Sequence, residues 1–536
     1  MRSECLPFSA IPHTTPLFAD YLYSFPKVQQ FYSRPPHLAW AADEARRINY
    51  DDGRRERVAA ILDRQNRAWN ASPATLENIA RLRRGACAMV TGQQVGLFGG
   101  PLFSIFKALS AVNLAAEATK TGTDCVPVFW LATEDHDLAE VNHTFLLGPD
   151  GTLHRVATST RAVENAPISR VAFGPEIQSA VDQAASLLGD SELTDWLREF
   201  YRPGENLGTA FANLFSRLFA DFGVVLLDAS DPALHAIAAP MYRHAIERSA
   251  ELTSALLTRG KELEGAGYHQ QVKVTEASTL LFAIRDGQRL PIHRANANHN
   301  DFRVESAKLN RDALLAQIAD APQQFSPNVL LRPLVQDYLL PTLGYIGGPA
   351  EIAYFAQAGV LYEKLLGRVT PVLPRFSATV VEKKAGEFIE RYQLKFTDLF
   401  HGPEHLREQM AAHVLPGELQ VSFEAADASL SESLQQIGSA LEKLDKTLVE
   451  AARRAGTKMH YQLRRLRARA ARAELRKNEV ISRHAAFLSS SLYPDKALQE
   501  REIGGAYFIA RHGRELLDRL YQVTQACCLD HQIMYL

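Results

Sequence analysis

The first strong apolar run of the chain, residues 86–90, breaks at Thr91-Gly92-Gln93-Gln94 into a loop holding Gly92, Gly96, Gly99 and Gly100. A helical pattern follows, because Leu102, Ile105, Leu109, Val112 and Ala116 recur at three- and four-residue spacing and give one buried face. Pro101 suits the first helical position, where its missing N–H would be unpaired anyway. A second run, 125–132, is apolar without interruption, the pattern of a strand buried on both faces. A third, 224–227, ends in Asp228-Ala229-Ser230-Asp231-Pro232, with Asp231 read as a helix cap. Strand, helix and strand in this order predict a βαβ unit and an α/β core with a parallel sheet.

Residues 1–85 read as helical and polar. Stretches 145–175 and 270–295 alternate in shorter runs around Gly148, Gly151 and Gly287, predicting β-hairpin insertions. The mostly apolar stretch 330–345 leads into Gly347-Gly348-Pro349-Ala350-Glu351, a second Gly-Gly-Pro helix entry echoing the one at Gly99. From about residue 378 the character changes to long helices. Leu441, Leu444, Leu448 and Ala451 follow an a/d pattern, which Met459, Leu463, Leu466 and Ala470 continue after a phase shift near Gly456. That shift predicts two helices, or one with a stutter, and an antiparallel hairpin whose apolar positions suit a homodimer. The expected organisation is a core over 1–377 with insertions at about 145–205 and 265–325. A helical coiled-coil domain over 378–490 and a segment 491–536 packing back on the core complete it.

With 536 residues and a net charge of −2, the chain has no bulk attraction to nucleic acid or membrane. The local exception is a basic stretch holding Arg453, Arg454, Lys458, Arg464, Arg465, Arg467, Arg469, Arg472, Arg476 and Lys477 against Glu474. It reads as a solvated face balanced by the acidic residues of 432–450, with a nucleic-acid-binding module as the competing reading. No apolar stretch reaches the length of a membrane span, and the start lacks the pattern of a secretory signal. The five cysteines (Cys5, Cys87, Cys125, Cys527 and Cys528) lack CxxC spacing, so a reduced, cytoplasmic protein is expected.

In open α/β sheets ligands bind at the carboxyl ends of strands, so the polar residues ending each run should face one crevice. Gly92, Gly99, Gly100, Gly347 and Gly348 are candidates for cradling an anion with backbone N–H groups. Gln93 and Gln94 can hydrogen-bond a sugar, a carboxylate or an oxyanion. Glu134, Asp135, His136 and Asp137 close the second run and are acid–base candidates, although one or two of them would instead cap the next helix. Asn142 and His143 follow as polar site candidates. Lys107, some two turns into its helix, reads as a surface lysine. His136, Glu140 and His143 share a face if their segment is helical, which would fit a metal-dependent hydrolase of an amino-sugar amide. No metal is assigned.

Taken together these motifs resemble the BshC family of bacillithiol biosynthesis. The resemblance rests on Thr91-Gly92-Gln93-Gln94 with Gly99-Gly100-Pro101, and on Phe129-Trp130-Leu131-Ala132 running into Glu134-Asp135-His136-Asp137. Glu140-Val141-Asn142-His143, Gly347-Gly348-Pro349-Ala350-Glu351, Leu492-Tyr493-Pro494 and Leu498-Gln499-Glu500-Arg501 extend it from about residue 10 onward. It implies a Rossmann-like core carrying a helical coiled-coil domain. It also implies a cysteine ligase that adds cysteine to the amino group of glucosaminyl-malate, the last step to bacillithiol. An amide does not form from a free carboxylate in water without activation, so ATP with Mg²⁺ is expected from the reaction type.

Overall fold

The computed structural model describes residues 2–295, 300–412, 417–445, 447–475, 479–525 and 528–536. Its centre is a five-stranded sheet of β1 (Cys87–Gln93), β2 (Cys125–Leu131), β3 (Val225–Asp228), β4 (Thr342–Gly347) and β5 (Val372–Pro374). All neighbours are parallel, in the order β5-β4-β1-β2-β3. Every residue of β2 is buried, because helices cover both faces of the sheet. Helix α1 (Phe103–Lys120) joins β1 to β2, and α2 (Leu207–Leu218) leads towards β3. Helix α3 (Pro232–Glu247) follows β3 behind an Asp231 cap, and α4 (Pro349–Leu365) follows β4.

Chain order runs outward from β1 in two directions, through β2 and β3 on one side and β4 and β5 on the other. The reversal between β1 and β4 opens a crevice at their carboxyl ends, where ligands of doubly wound folds bind.

The insertions differ from each other. After the hairpin of His143–Leu147 with Leu153–Ala157, the first continues as helices Ile177–Leu188 and Glu192–Phe200. The second is a five-stranded antiparallel sheet with Ser278–Arg285, Gln288–Arg294 and Phe325–Pro327 among its strands. The amino-terminal segment is not purely helical or polar. Arg2–Leu6 pairs with His531–Tyr535, which also pairs with Ala378–Val381, and Leu17, Phe18 and Tyr21 are buried.

Beyond the core, α5 (Gly417–Leu444) and α6 (Thr447–Leu475) form an antiparallel hairpin. The turn is not at Gly456. It falls at Asp445, whose carboxylate accepts from the Thr447 N–H and hydroxyl, both at 2.8 Å. Gly456 lies inside α6, where a Cβ would come within 2.9 Å of Leu434 on the opposite helix, so it permits close approach. In the basic stretch, Glu450 pairs with Arg453 and Arg454 one turn away. Arg476, Lys477 and Cys527 lie outside the described residues.

Candidate functional site

A cavity of about 670 Å³ fills the crevice between β1 and β4. Gly92, Gln93 and Gln94 line it from the end of β1, Trp130, Glu134 and Asp135 from β2, and Gly348 and Glu351 from β4 and α4. The second insertion covers it with Phe282, Arg289 and Pro327. A larger groove of about 870 Å³ runs between α5 and α6, but it holds none of the strand-end chemistry.

At the base lies Lys107, which is buried rather than on the surface. It sits barely more than one turn into α1, whose start faces the crevice. Its Nζ donates to Gly92 O at 2.7 Å and Gln93 Oε1 at 2.9 Å and pairs with Glu351 Oε2 at 2.6 Å. Burial pushes its pKa down to about 8, against the pull of Glu351. Glu351 also accepts from the Gly348 N–H at 2.8 Å and the Tyr345 hydroxyl at 2.5 Å. Burial alone would raise its pKa, but Lys107 and these donors outweigh burial and hold the carboxyl below its usual range. Glu351 thus closes the first turn of α4 from inside as a capping residue.

Four arginines complete the lining. Arg332 donates to the Tyr354 hydroxyl at 2.9 Å and Gln336 Oε1 at 3.1 Å. Arg375, directly after β5, pairs with the fully buried Glu500. The adjoining Arg501 lines the cavity as well. Arg289 reaches in from the covering sheet, donating to Ser326 Oγ at 2.8 Å and Pro327 O at 2.9 Å. It also lies 2.9 Å from His136 Nδ1, which can only accept from a guanidinium.

Neighbouring carboxyls are driven apart. Burial pushes Glu134 up to about 8, with Arg289 opposing. Asp135 is opposed by burial, yet hydrogen bonds from His136 and Gln94 and the charge of Arg289 hold it far below the usual range. Gln94 Nε2 donates to Asp135 Oδ2 at 2.7 Å and to Glu140 Oε2 at 2.8 Å. One carboxyl is therefore protonated near neutrality while the next is ionised, the pattern that separates acid and base roles.

Not every candidate converges here. Asp137 caps the short helix Leu138–Val141 by accepting from the Glu140 N–H at 3.1 Å. Asn142 Oδ1 and His143 Nδ1 contact each other at 3.2 Å and do not line the cavity. His143 begins a strand, so His136, Glu140 and His143 do not share a helical face. Among the described residues no group of three or more His, Cys, Asp or Glu side chains is placed to hold a metal.

Gly99 and Gly100 also miss the crevice. They have φ of +90° and +70°, which disfavours any side chain there, and a Cβ on Gly99 would touch Leu214 and Phe215. The helix entry they lead into is already filled, since the Leu102 N–H donates to Ile503 O and the Gly505 N–H to Gly100 O. Pro101 bridges Gly504, and α1 begins at Phe103. Gly347 packs on Glu351, and Gly348 alone of the Gly-Gly-Pro glycines lines the cavity.

Reading the sequence missed Lys107, Arg289, Arg332, Arg375 and Arg501 as lining residues. Arg332 and Arg375 did carry a signal, each being a lone charge inside or just after an apolar run.

Comparison with known proteins agrees with this architecture. Residues 1–376 match the family model described as "Bacillithiol biosynthesis BshC, N-terminal Rossmann-like domain". Residues 378–536 match "Bacillithiol biosynthesis BshC, C-terminal coiled-coil domain". A protein of Koribacter versatilis (strain Ellin345), named "Putative cysteine ligase BshC", is 51% identical over 534 residues, covering 100% of both chains. Its namesake in Solibacter usitatus (strain Ellin6076) is 38% identical over 542 residues, again covering 100% of both. One from Geobacillus thermodenitrificans (strain NG80-2) is 30% identical over 544 residues, covering 98% of this chain and 99% of the relative. A Rossmann-like core and a coiled-coil domain, matched along the whole chain, make this protein a member of the BshC family of bacillithiol biosynthesis.

Proposed function

We propose that the protein is a cysteine ligase that joins the cysteine carboxyl to the amino group of glucosaminyl-malate. The observation that carries this reading is the mixed charge of the crevice. Lys107, Arg289, Arg332, Arg375 and Arg501 surround one cavity that also holds Glu134, with its raised pKa, and the ionised Asp135. Such a set suits substrates that bring carboxylates and an ammonium together.

The arginines fit anionic oxygens, and the adjoining Arg375 and Arg501 are the residues suited to hold phosphates as well as carboxylates. ATP with Mg²⁺ would supply activation of the cysteine carboxyl. The chain's own part is to bind both substrates at the strand ends, exclude water beneath the Phe282 and Pro327 cover, and take the ammonium proton. Glu134, in its ionised form, suits that last task because its affinity for a proton is raised into the range of an amine.

The test is mass spectrometry of the purified protein with glucosaminyl-malate, cysteine and Mg·ATP. Amide product that depends on ATP supports the reading. A folded, substrate-binding protein that makes none overturns it.

A further inference from the structure

Next to Glu134 stands a histidine that does not line the cavity. His235 lies on α3 and is 4% exposed. Its Nε2 is 3.4 Å from Glu134 Oε1, and its Nδ1 is 3.1 Å from the Tyr242 hydroxyl two turns further along α3. Glu134 Oε1 is buried and has no hydrogen-bond partner among the described residues. In the tautomer protonated on Nε2, the Tyr242 hydroxyl donates to Nδ1 and the ring's own N–H faces that oxygen.

We propose that His235 is a positioning residue for Glu134, with its tautomer fixed by Tyr242, and that its Nε2–H closes on Oε1 when Glu134 ionises. This rests on the ligase reading above. In the step it serves, the Glu134 carboxylate takes one proton from the substrate ammonium. The freed lone pair forms the N–C bond at the cysteine carbonyl carbon activated by ATP, the activating group leaves with its bonding electrons, and the second amine proton passes to solvent. A 3.4 Å contact that tightens into a hydrogen bond as charge develops is the expected behaviour of such a partner.

The surroundings fit a neutral histidine facing a carboxyl that changes charge. Arg289 from the covering sheet, Arg332 from the helix Arg332–Leu339, Asp135 from its own loop and Asp228 from β3 act on Glu134. Asp231 from the α3 cap, the Phe325 backbone carbonyl of the covering sheet and Arg170 from the turn Ile168–Arg170 act on His235. Burial dominates and pushes His235 down to about 4, so it stays neutral through the pH range in which Glu134 titrates. It serves by donating a hydrogen bond and not by taking the proton.

Two measurements test this on the full-length protein. In the first, the pH dependence of kcat/KM is compared for the wild type, His235→Leu and His235→Gln. Loss of the donor should move the acid limb upward, leaving kcat/KM about tenfold lower at pH 7 for a shift of one pH unit, with the plateau largely kept. Glutamine, which can present an N–H near the Nε2 position, should restore the limb. In the second, infrared titration follows the protonated carboxyl band that disappears in Glu134→Gln, and His235→Leu should raise its midpoint. A midpoint unchanged in a folded His235→Leu protein overturns the proposal even if ligation occurs. A wild type that makes no product overturns the ligase reading, while the infrared titration still decides the coupling.

Discussion

Lys107 shows how much one side chain can be misjudged from spacing alone. Its neighbours in sequence are apolar, and an isolated lysine in an amphipathic helix is usually solvated. Here the helix is covered almost all round, so the lysine has nowhere to go but the crevice, where Gly92, Gln93 and Glu351 satisfy it. Replacing it by methionine strands a buried carboxylate, which should cost about 3–5 kcal/mol of stability in a urea titration. The double replacement Lys107→Met with Glu351→Gln should recover much of that loss and remain inactive. Glu134 makes a different prediction. In the folded protein its carboxyl keeps a proton up to about 8, whereas its ordinary value is 4.5. Between these values the folded state binds the additional proton, so this residue's contribution to stability falls as pH rises. Wild type should therefore lose stability relative to Glu134→Gln between pH 5 and pH 8, by on the order of a few kcal/mol. Denaturation midpoints at the two pH values measure it; a constant difference would show that Glu134 ionises normally.

At the level of elements, the sequence made the strands and their order around β1 and β2 legible, because period and length survive without tertiary context. The ends of elements were less so. The glycines before Pro101 look like an anion cradle, yet they are consumed by contact with residues 503–505, a partner some 400 positions away that no local pattern announces. Gly99→Ala places a Cβ at φ +90° beside Leu214 and should lower the unfolding free energy, measured by denaturant titration, by about 1–2 kcal/mol. It should leave the KM for both substrates unchanged. A raised KM for an anionic substrate at unchanged stability would return the loop to the binding site. The helical hairpin teaches the same lesson, since the phase shift near Gly456 is real in the sequence but serves packing on Leu434, while Asp445 makes the turn.

Across the whole molecule, the crevice is not the property of the Rossmann-like part alone. Arg375 stands at the end of β5, but its carboxylate partner Glu500 and the neighbouring Arg501 come from the region matched by the coiled-coil model. Glu500 also accepts from Ser377 Oγ and the Ala378 N–H at 3.0 Å each, and Ser377 contacts His531 Nδ1 at 2.7 Å. A fragment of residues 1–376 should therefore fail to make product. Supplying residues 378–536 in trans should not restore wild-type turnover unless the two copurify. An active 1–376 fragment would show that Glu500 and Arg501 are dispensable. None of this pairing was visible in the sequence, where Leu498-Gln499-Glu500-Arg501 carried resemblance but no assigned role.

Because the cavity draws on residues from Gly92 to Arg501, its closure waits on contacts of very long sequence separation. Such contacts pay loop entropy before they return any energy, and they form late. During synthesis the strands of the parallel sheet would emerge with Arg375 already made but its partner Glu500 still untranslated. A newly made chain thus passes through a stage in which Arg375 waits unpaired for Glu500, and a chaperone that shields this end of the sheet until the last segment docks would raise the yield of competent enzyme.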